Sequence, residues 1–360
     1  MTFKTLRVSG FRNLADAEIS TTGKDIFLVG ENGQGKTNFL EALYFCSYAS
    51  SFRGAADKEL VRSGQKSCSA HTRFADSQYD EVLIKIDNGR KSVFLDAKRL
   101  DDRRDLLSVV PCVVFCHEDM GFVAGTPEQR RWFFDQSQSL YDPLYLDDLR
   151  KYRKLLKTRN VILKTGNAQT VLDALDPQLT WYGLRLMEKR AEAAACFSGI
   201  FSTLYNEVAG IEHISVRYTP SWKDSSENHV LASLRRQLEP DMASGVTLSG
   251  PHRDRYAFFR GNESFSERAS TGQRRLLALL LRVAQARRFH DTTGKNPVLL
   301  LDDVLLELDG EKRRRFLEAL PDYDQAFYTF LPEEPYRRYL KPDTLVYHLR
   351  DGVFSLSPDT

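Results

Sequence analysis

The sequence predicts an α/β protein: an open sheet whose strands end at a glycine-rich turn and a pair of carboxylates, interrupted by a mainly helical insertion. Three observations predict it. Residues 25–45 read as a buried strand, "DIFLV", a glycine-rich turn and an amphipathic helix. Residues 297–309, "PVLLLDDVLLELD", read as a second buried strand ending in carboxylates. Between them, residues 119 to about 247 carry mostly helical periodicity.

The turn "GENGQGKT" fits G-x-x-x-x-G-K-[ST], with Gly30, Gly35, Lys36 and Thr37 at the fixed positions. Glycines let backbone N–H groups turn toward an anion, and the helix N-terminus adds partial positive charge. A lysine here reaches the β- and γ-phosphates of a nucleotide, and the Thr37 hydroxyl ligates magnesium. ATP and Mg2+ are therefore the expected cofactors, with Gly30, Asn32, Gly33, Gln34, Gly35, Lys36, Thr37 and Asn38 as nucleotide contacts. On the following helix Phe39, Leu40 and Leu43 share one face, as the motif requires.

The second strand, Val298 to Leu301, is followed at once by Asp302 and Asp303. Ligands bind beyond the carboxyl ends of strands in open α/β sheets, which makes Asp302 the magnesium-side carboxylate. Asp303 is the candidate to position or deprotonate an attacking water. A helix cap or turn is the alternative, but two adjacent carboxylates on so apolar a strand are unusual without a cation. Upstream, Leu276, Leu277, Leu279, Leu280 and Val283 describe a helix entered through "STGQ", Ser270 to Gln273. In most proteins a serine there is only a good cap.

Composition bounds the rest. At 360 residues and 42% hydrophobic, the chain can bury a large core, as two domains or as one with an insertion. The start "MTFKTLRVSGF" has no apolar signal region, and no run approaches a membrane span, so a cytoplasmic protein with no membrane partner is expected. Five scattered cysteines argue against a disulfide framework. Cys112 and Cys116, on the probable strand "PCVVFC", read as core thiols, and no metal besides magnesium is expected. A net charge of +2 means that any basic surface is local.

One such surface lies in the insertion. Pro127 starts one helix, "YDPLYLDDLRKYRKLLKTRNVILK" contains a longer one, and "TWYGLRLMEKRAEAAACFSGIFSTLYNEVAG" a third. Two long antiparallel helices would form a short arm, with no heptad run long enough for an extended coiled coil. Arg150, Lys151, Arg153, Lys154, Lys157, Arg159 and Lys164 follow one another with no acidic residue between them. If all seven neutralised phosphates on duplex DNA, log affinity would fall with log salt at a slope of about −6. A solvated helix face is the common alternative. Arg150, Lys151, Lys154, Lys157 and Arg159 are the leading DNA candidates, with Arg53, Arg130 and Arg131 secondary. No sequence-specific reading motif is present.

Placed about thirty residues before a strand ending in Asp-Asp, "STGQ" resembles the "SGGQ" signature of ATP-binding-cassette enzymes. The resemblance then narrows. From end to end the chain resembles the RecF family of bacterial DNA-repair and recombination ATPases. The blocks that carry it are "FRNL" (11–14), "GENGQGKTNFLEALY" (30–44), "SFRG" (51–54) and "GTPEQRRWFFDQ" (125–136). "YRKLLKTRNVILK" (152–164), "GVTLSGPHRDR" (245–255), "STGQRR" and "LLLDDVLLELD" continue the series in the family's order and spacing.

The resemblance implies an ABC-type P-loop ATPase head, similar to those of Rad50 and SMC proteins. Residues 1–118 would form its first part, 119–247 a helical second lobe, and 248–360 its second part. It also implies that Ser270, Gly272 and Gln273 of one subunit cap the nucleotide held by Lys36, Thr37 and Asp302 of another. An ATP-dependent head-to-tail homodimer would then clamp double-stranded DNA at gaps or junctions, and hydrolysis would release it. RecR and RecO are the implied partners, and loading of the recombinase RecA the implied outcome. Asp303, one methylene shorter than the usual cassette glutamate, suggests a slow ATPase. The chain departs from the family at Leu306, usually serine, at Arg255, usually aspartate, and at His117, where a loop or capping role is expected. A transporter subunit is a weaker reading, because Thr329 stands about where its switch histidine would be. A scaffold holding nucleotide without significant turnover remains the second reading.

Overall fold

The structure, a computed structural model, describes residues 1–165, 169–305 and 308–357; the departure at Leu306 lies outside them. The chain forms two compact units, Met1–Asp119 with Gln285–Thr360, and Met120–Ala284.

Among the described residues, the first unit contains two six-stranded sheets. In one, the strands run in the order Val353–Leu356, Leu345–Arg350, Asp25–Val29, Ala326–Phe330, Val298–Leu301, Cys112–Phe115. All pairings are parallel except the first. Asp25–Val29, Ala326–Phe330, Val298–Leu301 and Cys112–Phe115 are buried at every position, as expected for parallel strands covered on both faces. The helix Lys36–Tyr48 seats Phe39 between Phe327 and Phe354, with ring centroids at 6.1 and 5.1 Å. Cys112 and Cys116 are buried free thiols, and burial pushes the Cys112 thiol up to about 12.

The other sheet is antiparallel, in the order Ala17–Ser20, Thr2–Ser9, Ser67–Ala75, Glu81–Asp87, Arg90–Leu95, Lys98–Arg99. Its strands alternate, so that Cys68, Ala70, Thr72 and Phe74 point inward along Ser67–Ala75. The buried Gln325 side chain joins the two sheets: its carbonyl accepts from Phe3 N (2.8 Å) and its amide donates to Phe3 O (3.0 Å).

The second unit is mostly helical. Pro127–Ser139 begins with a capping box, in which Thr126 and Gln129 satisfy each other's backbone N–H groups. Pro143–Thr165 and Gln169–Ala209 run antiparallel, since Asp148 meets Arg185 (2.7 Å) and Arg159 meets Asp176 (2.9 Å). The latter helix begins eleven residues before the expected Thr180 and contains Pro177. A proline inside a helix costs about 3 kcal/mol, but Leu172, Leu175 and Leu179 bury their side chains around it, each burial gaining about 1.5–3 kcal/mol. Residues 248–284, counted from sequence with the ATPase lobe, belong by their contacts to this second unit. The reason is pairing: Arg255–Arg260 joins Ile214–Thr219 over six residue pairs, with Glu263–Ser264 on its other edge. Among the described residues no helix is long and apolar enough to cross a membrane.

Candidate functional site

The glycine-rich loop leaves the parallel sheet at Val29 and returns to regular structure at Lys36. Two glycines are required by space. A Cβ on Gly30 would meet Leu349 O at 2.6 Å, and Gly35 combines φ +110° with a side-chain approach of 2.8 Å from Leu14. Lys36 is buried, and its ammonium donates to Gly30 O (2.5 Å) and Glu31 O (3.2 Å), which holds the charge at the centre of the turn. Asn32 and Gly33 are exposed at the tip. The Gln34 side chain accepts from Asp351 N (2.5 Å), tying the loop to the hairpin 345–356.

Two motifs brace this loop. Asn13 of "FRNL" donates to Gly33 O (2.8 Å) and accepts from Asn38 (2.7 Å). Arg12 makes a paired contact with Glu41, at 2.9 and 3.0 Å, and Arg53 of "SFRG" reaches Glu41 (3.1 Å) and Asn38 (3.1 Å). Glu41 is fully buried on the loop helix, so the two guanidiniums and the Ser51 hydroxyl (2.5 Å) satisfy a carboxylate that would otherwise be costly there. Arg53, a secondary DNA candidate, is thus committed to positioning the loop helix. The signal was in the sequence: a glutamate inside the apolar run "FLEALYF" needs a cation.

Opposite the loop stand the two aspartates. Thr37 Oγ1 donates to Asp302 Oδ1 at 2.9 Å, joining residues 265 positions apart. Thr329 Oγ1 donates to Asp303 Oδ1 (2.7 Å), accepts from Asp303 N (2.7 Å), and lies 3.4 Å from Asp302 Oδ1. Thr329, noted from sequence only for the absence of a histidine, therefore aligns both carboxylates. Burial, and then the neighbouring Asp303, push the Asp302 carboxyl up to about 7, with the Thr37 hydrogen bond opposing and Glu118 adding to the rise. Asp303 sits at φ +52°, a strained conformation that aspartate tolerates better than most residues. A hydroxyl and a buried carboxylate in contact, beside a phosphate-type loop, form a donor set suited to Mg2+, which takes one or two protein oxygens and shares phosphate oxygens.

In the second unit, Ser270 caps the helix Thr271–Thr293 through a reciprocal pair: Ser270 N donates to Gln273 Oε1 (2.9 Å) and Gln273 N to Ser270 Oγ (3.3 Å). Ser270, Thr271 and Gly272 are exposed, and a Cβ on Gly272 would meet nothing within 4 Å. His117 and Arg255 are exposed as well.

Of the basic run, Arg150, Lys151, Lys154 and Lys157 are exposed along Pro143–Thr165, and Lys151 also lies 5.2 Å from the Tyr182 ring centroid. Arg159 is a correction. Its side chain is 0% exposed and donates to Asp176 (2.9 Å), Asp241 (2.6 Å) and Thr247 (2.9 Å), so it cannot reach a phosphate. Spacing could have shown this, because the buried positions of this helix, Tyr145, Asp148, Leu149, Tyr152, Arg159 and Leu163, lie along one helical stripe. Arg130 and Arg131 are half-buried and donate to the backbone oxygens of Gly125 (3.0 Å) and Asp254 (2.8 Å). The block "GPHRD" feeds a second internal network: buried Arg190 pairs with Asp135 (2.9 Å) and Asp254 (2.8 Å), and Tyr152 meets His252 (2.8 Å).

A family model described as the RecF/RecN/SMC N terminal domain matches residues 2–338. The DNA replication and repair protein RecF of Treponema pallidum (strain Nichols) is 44% identical over 345 residues, covering 95% of this chain and 98% of that protein. RecF of Trichlorobacter lovleyi is 32% identical over 98% of this chain and 97% of that one. Among solved structures, the recombination mediator protein RecF-ATP of the RecFOR pathway is similar at a TM-score of 0.89 and 27% identity, covering 99% of this chain and 97% of that one. An Smc head bound to the C-winged helix domain of ScpA is similar at 0.58 and 16% identity, a likeness of fold alone.

Proposed function

Given that the chain belongs to the RecF family, whose fold is an ABC-type ATPase head, we propose that it is an ATP-dependent DNA-binding protein of recombinational repair. ATP lies on the loop 30–38, with Lys36 on the β- and γ-phosphates, and Ser270, Gly272 and Gln273 of a second copy cap the γ-phosphate. Mg2+ would be held by Thr37 and Asp302 and would offset the charge developing on the phosphates during transfer. Asp303, aligned by Thr329, orients the water. The dimer clamps DNA at gaps or single-strand/double-strand junctions along Arg150, Lys151, Lys154 and Lys157. Hydrolysis removes the one contact shared by both subunits and opens the clamp. RecO and RecR are the partners through which RecA loading is helped.

The observation that carries this reading is the hydrogen bond from Thr37 to Asp302, which brings loop and carboxylate strand into one site. The test is solution mass with ATP, with ADP and without nucleotide, each with and without gapped DNA. A dimer formed only with ATP and stabilised by DNA supports the clamp. A monomer under every condition removes it and leaves only the nucleotide site. The tie of Asp303 to Thr329 favours one second reading, a nucleotide-bound DNA scaffold with no significant turnover; measured hydrolysis stimulated by DNA would exclude it.

A further inference from the structure

The second unit contains a cavity of about 440 Å3, within the range of small-ligand sites, that the nucleotide reading leaves unused. Four guanidiniums line it: the buried Arg190 and the more exposed Arg131, Arg153 and Arg253. Two carboxylates also line it, Glu128 and Asp135. Asp135 is already engaged, since its oxygens accept from Arg190 (2.9 and 3.0 Å) and Tyr145 (2.5 Å). Arg153 also reaches Asp135, at 3.4 Å, while staying largely exposed, and the four guanidiniums outnumber the two carboxylates by two. His252, also in the wall, registers this surplus: burial first, then Arg253, Arg131 and Arg190, drive its imidazole down to about 4.

Beside these cations stands an apolar ring in solvent. Trp132 is 41% exposed; one face stacks on Phe122, with centroids 5.6 Å apart at 26°, and Arg282 lies over Phe122 at 4.7 Å. A large exposed ring with one packed face is a platform for a planar group, and cations around it select an anionic one.

We propose that this cavity takes one unpaired nucleotide of DNA, with its base stacked on Trp132 and its phosphate on Arg153 and Arg253. DNA fits better than a free nucleotide because Arg153 shares a helix face with Arg150 and Lys157, three and four residues away, which extend the positive charge beyond the pocket. A continuous duplex has no such base to offer, whereas a gap or junction does. The site therefore supplies the structure preference that a basic helix face alone lacks. This inference rests on the DNA-binding reading above.

The test compares affinity of the full chain with ATP for a blunt duplex and for the same duplex with a short dT overhang. Wild type is expected to prefer the overhang, and Trp132→Ala to weaken overhang binding about 5- to 100-fold while blunt-duplex affinity changes less than about twofold. Trp132→Phe should restore most of the preference, and Arg253→Gln should reduce it without touching the aromatic stack. Equal affinity of wild type for both DNAs, or equal losses on both in the variants, overturns the inference while leaving duplex binding in place. Absence of binding to either DNA overturns the broader reading instead. Quenching of tryptophan fluorescence by free dTMP in wild type, with no preference for the overhang, would show a mononucleotide pocket and overturn the DNA assignment.

Discussion

Replacing Arg159 by methionine separates a structural cation from a DNA-binding one. The guanidinium holds two buried carboxylates and a hydroxyl at 2.6–2.9 Å, and its removal leaves Asp241 and Asp176 facing each other without a counter-charge. Breaking a buried pair from one side costs about 3–5 kcal/mol, a large part of the 5–15 kcal/mol that stabilises a typical domain. For a unit of this size, residues 120–284, about 1 kcal/mol moves Tm by roughly 2–4 °C, so the expected fall is about 6–20 °C. Calorimetry of Arg159→Met gives that number directly, and Asp176→Asn added to it should recover part of the loss. Below the melting range, the salt dependence of DNA binding should match wild type. A Tm within 3 °C of wild type, or a slope about 0.9 shallower, would show that Arg159 is a phosphate contact and that the buried network is misassigned.

Lys36→Ala should lower ATP affinity more than tenfold by direct titration, since the buried ammonium is the loop's only side-chain cation. Ser270→Arg should leave ATP binding to the monomer intact while abolishing ATP-dependent dimers in sedimentation; persisting dimers would refute the shared site. Lys154→Ala with Lys157→Ala should flatten the slope of log affinity against log salt by about 1.8. Asp302 is the pH-sensitive group: its folded carboxyl is raised from 3.8 to about 7, so the stability it contributes is complete below pH 3.8 and lost as pH rises through 7. The nucleotide-free protein should therefore melt lower at pH 8 than at pH 6. Mg2+-dependent ATP affinity should move the other way and rise through pH 7, and Asp302→Asn should remove both trends.

The nucleotide loop was legible because its chemistry fixes both residue types and spacing over eight positions, Gly30 to Thr37, and a buried strand precedes it. The carboxylate strand was legible for a similar reason, since four apolar residues followed by two aspartates leave few arrangements. The partner of Asp302 was not: the contact to Thr37 spans 265 residues, and only the strand order, with Ala326–Phe330 between the two, brings them together. Nor was the order of the antiparallel sheet, although Ser67–Ala75 alternates clearly. Period shows which face of a strand is buried but not which strand lies beside it.

The basic run shows how counting charges differs from placing them. Along Pro143–Thr165 the buried residues Tyr145, Leu149, Tyr152 and Leu163 mark one helical stripe, and Arg159, seven residues after Tyr152 and four before Leu163, falls on it while Arg150, Lys151, Lys154 and Lys157 fall off it. A cation on an apolar stripe must find carboxylates inside the fold, and Asp176 and Asp241 are the ones it finds. The same logic applies to Arg190 with Asp135 and Asp254, and to Arg12 and Arg53 with Glu41. Family blocks such as "LKTRN" and "GPHRD", which carry no general chemical meaning as strings, thus acquire one. Each supplies one side of a buried ion pair or hydrogen bond whose other side lies tens of residues away. Arg150, Lys151, Lys154 and Lys157, off the stripe, and Arg153 and Arg253, beside Trp132, are the cations exposed where a polyanion can approach.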